Sequence, residues 1–394
     1  MKILIINTDY PEFLQWFYAQ HTGLERRAYS EQLSRRYESL YGVSDFYSRN
    51  LCALGHEAHD VYFNNEYLQK AWALEHGVNC DPPEPMRQPA PTVLSRMKQA
   101  VSQTPVSRLK SYVRPVWNRF RRAPSWPQDI LKAQIKHYRP DVLLNQAVDG
   151  ISGEFIKELK PYVRLVVGQH AATQISDEED LSGYDVMISS FPSTLDYFSR
   201  KGITSYLSRL GFEPSVLPHL NASGARHEVT FAGNFFAVHS SREAWMEVLC
   251  REFPQLKIWA PTLRQLPAGS VLHSHYAGQA WGAEMYQILQ SSNVTLNHHG
   301  NVAPYANNMR LFEATGVGAF LLTDWKSNLS DMFDVGKELV AYRTVEECAE
   351  LIRYYLAHDE EREAIARAGQ ARTLRDHTYA HRMQELMGII EKHV

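Results

Sequence analysis

Hydrophobic positions along this chain fall into short unbroken blocks separated by longer stretches with a helical period. The opening block, Lys2 to Asn7, is apolar and β-branched without alternation, as a strand buried on both faces reads. His59 to Phe63, Pro140 to Asn145, Arg164 to Gly168 and Tyr184 to Ser189 repeat it, with helical stretches between. One helix is predicted over Glu31 to Leu54, stopped by Gly55, whereas the aromatic residues Phe13, Trp16, Phe17 and Tyr18 read as a loop. Turn formers gather from Ser208 to Pro218, which places a boundary near 212–226. The pattern then restarts: strands at Glu228 to Asn234, Lys257 to Ala260 and Asn293 to Gly300, a helix at Glu284 to Leu289, and helices over Val345 to Leu356, Glu360 to Leu374 and Tyr379 to Lys392. This βα alternation predicts parallel sheets, and 394 residues exceed one ordinary core and fit two domains.

The densest chemistry lies between Asn307 and Asp324. Met309, Leu311, Phe312 and Val317 surround a lone Glu313, Gly316 and Gly318 suit a tight exit from a helix, and Ala319 to Leu322 is an apolar run closed by Thr-Asp. A short helix, a glycine turn and a buried parallel strand follow. Asn307 and Asn308 stand where the helix begins, beside free backbone N–H groups that favour an anion such as a diphosphate, and a carboxylate one turn further in can accept hydrogen bonds from a ribose. The stretch resembles the nucleotide-sugar motif of GT-B glycosyltransferases, and most of all that of the CgeB-like, spore-maturation type family, with its Asn-x-Arg-x-Phe-Glu-Ala-x-Gly-x-Gly-Ala-x-Leu-Leu-Thr signature. Phe333, Gly336 to Val340, Tyr342, a long amphipathic helix and His377-Thr378-Tyr379 with Arg382 follow in the order of such C-terminal domains.

The resemblance implies two Rossmann-like, doubly wound α/β domains facing a cleft. Residues 1–215 would hold the acceptor, residues 216–378 the nucleotide sugar, and 379–394 would form a helix crossing back to the first domain. It further implies that the Gly233-Asn234 loop approaches the diphosphate, with Asn307, Asn308, Arg310, Arg242 and Arg209 as candidates to balance its charge and Glu313 to hold the ribose. Family 4 retaining enzymes carry two glutamates eight positions apart; here Tyr305 stands where the first would be, so the stereochemical outcome stays open.

Parallel strands point their C-terminal ends at a ligand. The first is followed by Asp9, Tyr10 and His21, in a segment that contacts the acceptor in GT-B enzymes or is simply a packed aromatic cluster. Another is followed by His170, whose imidazole can act as base, hydrogen-bond a sugar hydroxyl or serve the fold alone. Asp9 is the alternative base. His298-His299 and His273-x-His275 are not read as metal ligands, because neighbours in a strand face opposite ways and no carboxylate or cysteine accompanies them in sequence.

Composition changes this picture at one place. Residues 85–128 hold nine basic and no acidic residues in a chain of net charge −3, leaving −12 for the remainder. Apolar residues recur there at helical spacing beside Arg119, Arg121 and Arg122, so the stretch reads either as a basic amphipathic pair for an anionic membrane surface or as a solvated insertion. No reading module for nucleic acid accompanies the charge. Absence of a long apolar run or a signal-peptide pattern places the chain in the cytoplasm, if anywhere at a membrane then peripherally, and four scattered cysteines suggest no disulfide framework. The expected activity is metal-independent transfer of a sugar from a nucleotide sugar to a glycan, glycolipid or protein, with no cofactor beyond that co-substrate. A GT-B-fold nucleotide-sugar epimerase and a non-catalytic envelope or sporulation scaffold are the rivals.

Overall fold

The computed structural model describes residues 1–83, 126–170, 180–221, 226–235, 240–299 and 304–394. The chain divides into two compact units, one built from Met1–Thr8, Leu33–Val61 and Tyr138–Val394, the other from Asp9–Gln32 and Tyr62–His137.

The larger unit contains two parallel six-stranded sheets. In the first, β1 (Lys2–Asn7), β2 (Glu57–Tyr62), β3 (Val142–Asn145), β4 (Leu165–Gln169), β5 (Val186–Ser189) and β6 (Ser205–Leu207) lie in the order β2-β1-β3-β4-β5-β6. In the second, β7 (His227–Ala232), β8 (Leu256–Trp259), β9 (Tyr276–Gly278), β10 (Ser292–Asn297), β11 (Leu321–Asp324) and β12 (Val340–Tyr342) lie in the order β12-β11-β10-β7-β8-β9. Both orders reverse direction beside the first strand, the place where open α/β sheets bind ligands. The strand blocks of the sequence are therefore among these strands, with ends shifted by up to three residues; β3 and β5, for example, are buried along their whole length, which explains their lack of alternation.

One apolar cluster joins Ile5 and Leu144 of the first sheet, through Phe46, Tyr47, Phe212 and Tyr379, to Leu311, Phe312 and Leu321 of the second. A separate cluster around Val229, Ile258, Leu296 and Leu322 is closed by Met246, Leu249 and Cys250 of the helix Ser240–Glu252. The helix Tyr379–Ile390 packs on the helix Phe46–Ala53, with Tyr379 5.5 Å from Phe46 and 5.4 Å from Tyr47 between ring centres. It is anchored where Phe212 N–H donates to His377 O and Tyr379 N–H donates to Phe212 O, each at 2.9 Å.

Two expectations are corrected. The single helix over Glu31 to Leu54 is two helices, Tyr29–Glu38 and Phe46–Ala53. Leu40, Gly42 and Ser44 between them adopt left-handed backbone angles that no helix continues through, and the buried Arg36 holds the turn by donating to Tyr41 O at 3.1 Å. The aromatic stretch near residue 13 is no loop: it belongs to the helix Pro11–Gln20 of the smaller unit, where Pro11 takes the first helical position and Phe13 stacks on Phe17 one turn later, 5.6 Å away. Most of the basic stretch, residues 85–125, lies outside the described residues, and its last three positions open the helix Trp126–Tyr138. No helix among the described residues is long and apolar enough to cross a membrane.

Candidate active site

The C-terminal ends of β7, β10 and β11 carry a dense polar constellation. Asn308, itself in an extended conformation, caps the helix Met309–Gly316, its Oδ1 accepting from Leu311 N–H at 3.2 Å. Its amide nitrogen donates to Asn297 Oδ1 at 2.8 Å, so the helix start is tied to the end of β10. Asn307 donates to Ser190 Oγ at 2.8 Å, just beyond β5 of the first sheet. Both side chains, expected to face a diphosphate, are thus engaged within the protein; what the cap leaves for an anion are backbone N–H groups of the first helical turn.

Glu313 is buried one turn further on. Its Oε2 lies 2.8 Å from Arg310 Nη1, as an ion pair rather than an aligned hydrogen bond. Burial pushes its carboxyl above the usual range, and Arg310 and a hydrogen bond from Tyr286 pull it back in part. Arg310 also donates from Nε to Ala232 O at 3.2 Å and sets Nη2 3.0 Å from Met285 Sδ. The guanidinium of Arg310 thus reaches both Glu313 and the end of β7.

Gly233 follows β7, where a Cβ would stand 2.9 Å from the Phe231 ring, so no larger residue fits without displacement. The carbonyl of Asn234 accepts from Arg242 Nη1 at 2.6 Å, and Arg242 Nη2 donates to His298 O at 2.5 Å. The guanidinium is buried over Phe231, with Nε unpartnered, and burial lowers its pKa to about 10. Arg242 is thus a cation fixed between two loops at the strand ends, with its remaining N–H unused.

The two histidines after β10 gain a carboxylate that sequence distance concealed. Because Asn297 pairs in register with Thr323, the residues that follow them meet as well. His299 Nδ1 and Asp324 Oδ1 are 2.7 Å apart, and Lys326 Nζ is 3.3 Å from Asp324 Oδ2. Asp324 is 25 residues from His299 in sequence, so only the fold brings a carboxylate to these histidines. Even so, no group of three or more His, Cys, Asp or Glu among the described residues is arranged to hold a metal ion. His298 stacks on Trp245 at 4.8 Å and hydrogen-bonds Tyr342 at 3.1 Å; burial pushes its pKa down to about 4.

In the first sheet His170 directly follows β4 and is almost fully buried, its backbone N–H donating to Ile188 O. Its Nε2 is 3.3 Å from Asp149 Oδ1, yet neither ring nitrogen makes an aligned hydrogen bond. His170 holds the Asp149 carboxyl below its usual range. Asp149, absent from the sequence candidates, sits in the single turn Val148–Gly150 after β3. Arg209 is half-buried just beyond β6.

Asp9, Tyr10 and His21 belong to the smaller unit. Asp9 is buried and its backbone exchanges hydrogen bonds with the Asn64 amide at 2.8 and 2.7 Å. Tyr10 is half exposed before the helix Pro11–Gln20, and His21 ends that helix with its ring edge on Phe17, 5.1 Å away.

Two parallel sheets with their polar groups gathered at strand ends define an α/β protein of GT-B architecture. A family model described as glycosyl transferase-like matches residues 239–388. No curated protein matches the chain. Among solved structures, Anabaena Alr3699/HepE in complex with UDP and glucose is similar over 100% of both chains, with TM-score 0.57 and 10% identity. A glycosyltransferase from Rickettsia africae aligns over 99% of this chain and 98% of its own, with TM-score 0.57 and 8% identity. Sucrose-phosphate synthase from Thermosynechococcus elongatus aligns over 100% and 98%, with TM-score 0.53 and 13% identity. At such identities the likeness is one of fold. The chain thus carries a glycosyl transferase-like segment within a fold of GT-B type.

Proposed function

We propose that this chain is a glycosyltransferase of the CgeB-like kind that moves a sugar from a nucleotide-sugar donor to a glycan, glycolipid or protein. The observation that carries the donor half is the helix Met309–Gly316, whose capped start leaves backbone N–H groups for an anion while Glu313 is held buried by Arg310 one turn deeper. Glu313 would take the ribose hydroxyls. The helix start, Arg242 and the Gly233-Asn234 loop would meet the diphosphate, with Arg209 reaching it from β6. Loss of the sugar leaves charge on that diphosphate, and fixed protein donors stabilise it in place of a divalent cation. Transfer is therefore expected to persist in excess EDTA.

The acceptor belongs, in this reading, to residues 1–215. His170 would take the acceptor proton, with Asp9 as the alternative base and Tyr10 and His21 as acceptor contacts. Residues 216–378 would form the donor domain and 379–394 the returning helix. We place the enzyme in the cytoplasm, with the basic stretch 85–128 as its contact to an anionic membrane face.

HepE holds UDP and glucose in its crystal structure, so UDP is the first nucleotide to try, followed by GDP, CMP and dTDP. A nucleotide at 100 times its Kd should stabilise the fold by about 2.7 kcal/mol. No stabilisation by any of them would refute the donor site and leave the scaffold rival; conversion of donor sugar without an acceptor would mark the epimerase instead.

A further inference from the structure

His299 stands one residue past His298, whose carbonyl receives Arg242, and two past Asn297, whose amide holds the cap of the helix Met309–Gly316. It thus lies between the two elements assigned above to the diphosphate. Its side chain is 4% exposed, and two contacts fix its orientation: backbone N–H to Asp324 Oδ1 at 2.8 Å and ring Nδ1 to the same oxygen at 2.7 Å. Its other nitrogen, Nε2, has no partner among the described residues.

The surrounding charges decide which nitrogen faces a proton acceptor. Burial pushes the Asp324 carboxyl up, but the hydrogen bond and charge of His299, with the charge of His298, outweigh it and hold the group well below the usual carboxylate range. Lys326 Nζ, 3.3 Å away, lies on the same carboxylate. An ionised Asp324 only accepts, so the Nδ1 facing it carries the proton. Of the other neighbours, Arg242 is a cation tied to His298 O, Tyr342 is pushed far up by burial, and His298 is pushed down to about 4, hence neutral near pH 7. The position left for a ligand is therefore Nε2: a bare lone pair when the ring is neutral, a charged N–H donor when it is protonated.

We propose that His299 binds an anionic oxygen of the donor's diphosphate through Nε2 and takes up a proton in doing so, with Asp324 and Lys326 as positioning residues. This rests on the nucleotide-sugar reading. An anionic oxygen repels a lone pair and rewards a donor, so binding drives protonation; a sugar hydroxyl would donate to the lone pair and require no proton.

Calorimetric titration of the full chain with UDP, and with GDP, CDP and dTDP in turn, in buffers of different ionisation enthalpy reads the protons exchanged. Net proton uptake on nucleotide binding is expected, with Kd rising as pH is raised, by up to about tenfold per pH unit. His299→Gln should bind more weakly and lose the uptake, while Asp324→Asn should reduce uptake without abolishing binding. Nucleotide binding by the wild type with no buffer dependence overturns the proposal, as does uptake undiminished in His299→Gln. If that variant does not fold, the wild-type slope together with Asp324→Asn decides. Failure of every nucleotide to bind refutes the donor reading itself, an outcome visible before any variant is made.

Discussion

Glu313→Gln tests the donor site where its structure is most demanding. The carboxylate and Arg310 are buried together, with side-chain exposures of 8% and 13%. Removing one partner of such a pair outright costs about 3–5 kcal/mol, because the other charge is left buried alone. Glutamine retains an oxygen for Arg310 and for Tyr286, so the expected loss in unfolding free energy is smaller, about 1–3 kcal/mol. The binding effect is separate. If the ribose hydroxyls donate to Glu313, neutralising it removes a charged hydrogen bond worth about 1.5–3 kcal/mol, or roughly 10- to 150-fold in Kd. Free UDP and UDP-sugar share the ribose, so both should weaken equally. Urea unfolding without ligand measures the first quantity, and calorimetry below the unfolding transition measures the second. A variant that folds, is less stable, and binds UDP with the parental Kd would make Glu313 a structural partner of Arg310 only and would refute its place in the nucleotide site.

Other consequences follow from buried groups and close contacts. Asp60 is wholly buried among Asn7, Tyr37 and Ser48, and burial raises its carboxyl to about 6 against those hydrogen bonds. The native state therefore takes up this proton at higher pH than the unfolded chain, so its penalty is present above about pH 6 and relieved as pH falls toward about 4; Asp60→Asn should shift the stability difference from wild type by roughly 2 kcal/mol between about pH 7 and about pH 4, and a flat difference by urea unfolding would contradict this. Gly316→Ala places a Cβ 2.3 Å from the Phe212 ring, and overpacking there should cost about 1–3 kcal/mol in the same assay. His170→Ala should leave UDP affinity unchanged and lower kcat by about 10²- to 10⁴-fold if the imidazole is the base; full activity would move that role to Asp9 or His21.

Much of the architecture was legible along the chain because the interactions that encode it are local. A parallel strand buried on both faces must be apolar throughout, so β1, β3, β4 and β5 announce themselves as short blocks. The helix Met309–Gly316 and strand β11 were readable for the same reason: cap, apolar face, glycine exit and buried run lie within one stretch of sequence. The break near Gly42 and the helix Pro11–Gln20 were misread, since a left-handed turn and an aromatic-rich helix leave weak periodic signals.

Only the tertiary structure decided what the polar residues do. Which partner Arg310, Asn307 or His299 takes depends on groups brought alongside from Ala232, Ser190 and Asp324. For Asn307 and His299 those groups are 117 and 25 residues away in sequence. Parallel sheets create such neighbours through crossover connections: the Asn297–Thr323 register sets His299 against Asp324, and no periodicity in either segment records that pairing. A strand's hydrophobicity is a property of its own residues, whereas the charge, tautomer and free valence of a buried side chain belong to the environment that the whole fold assembles around it.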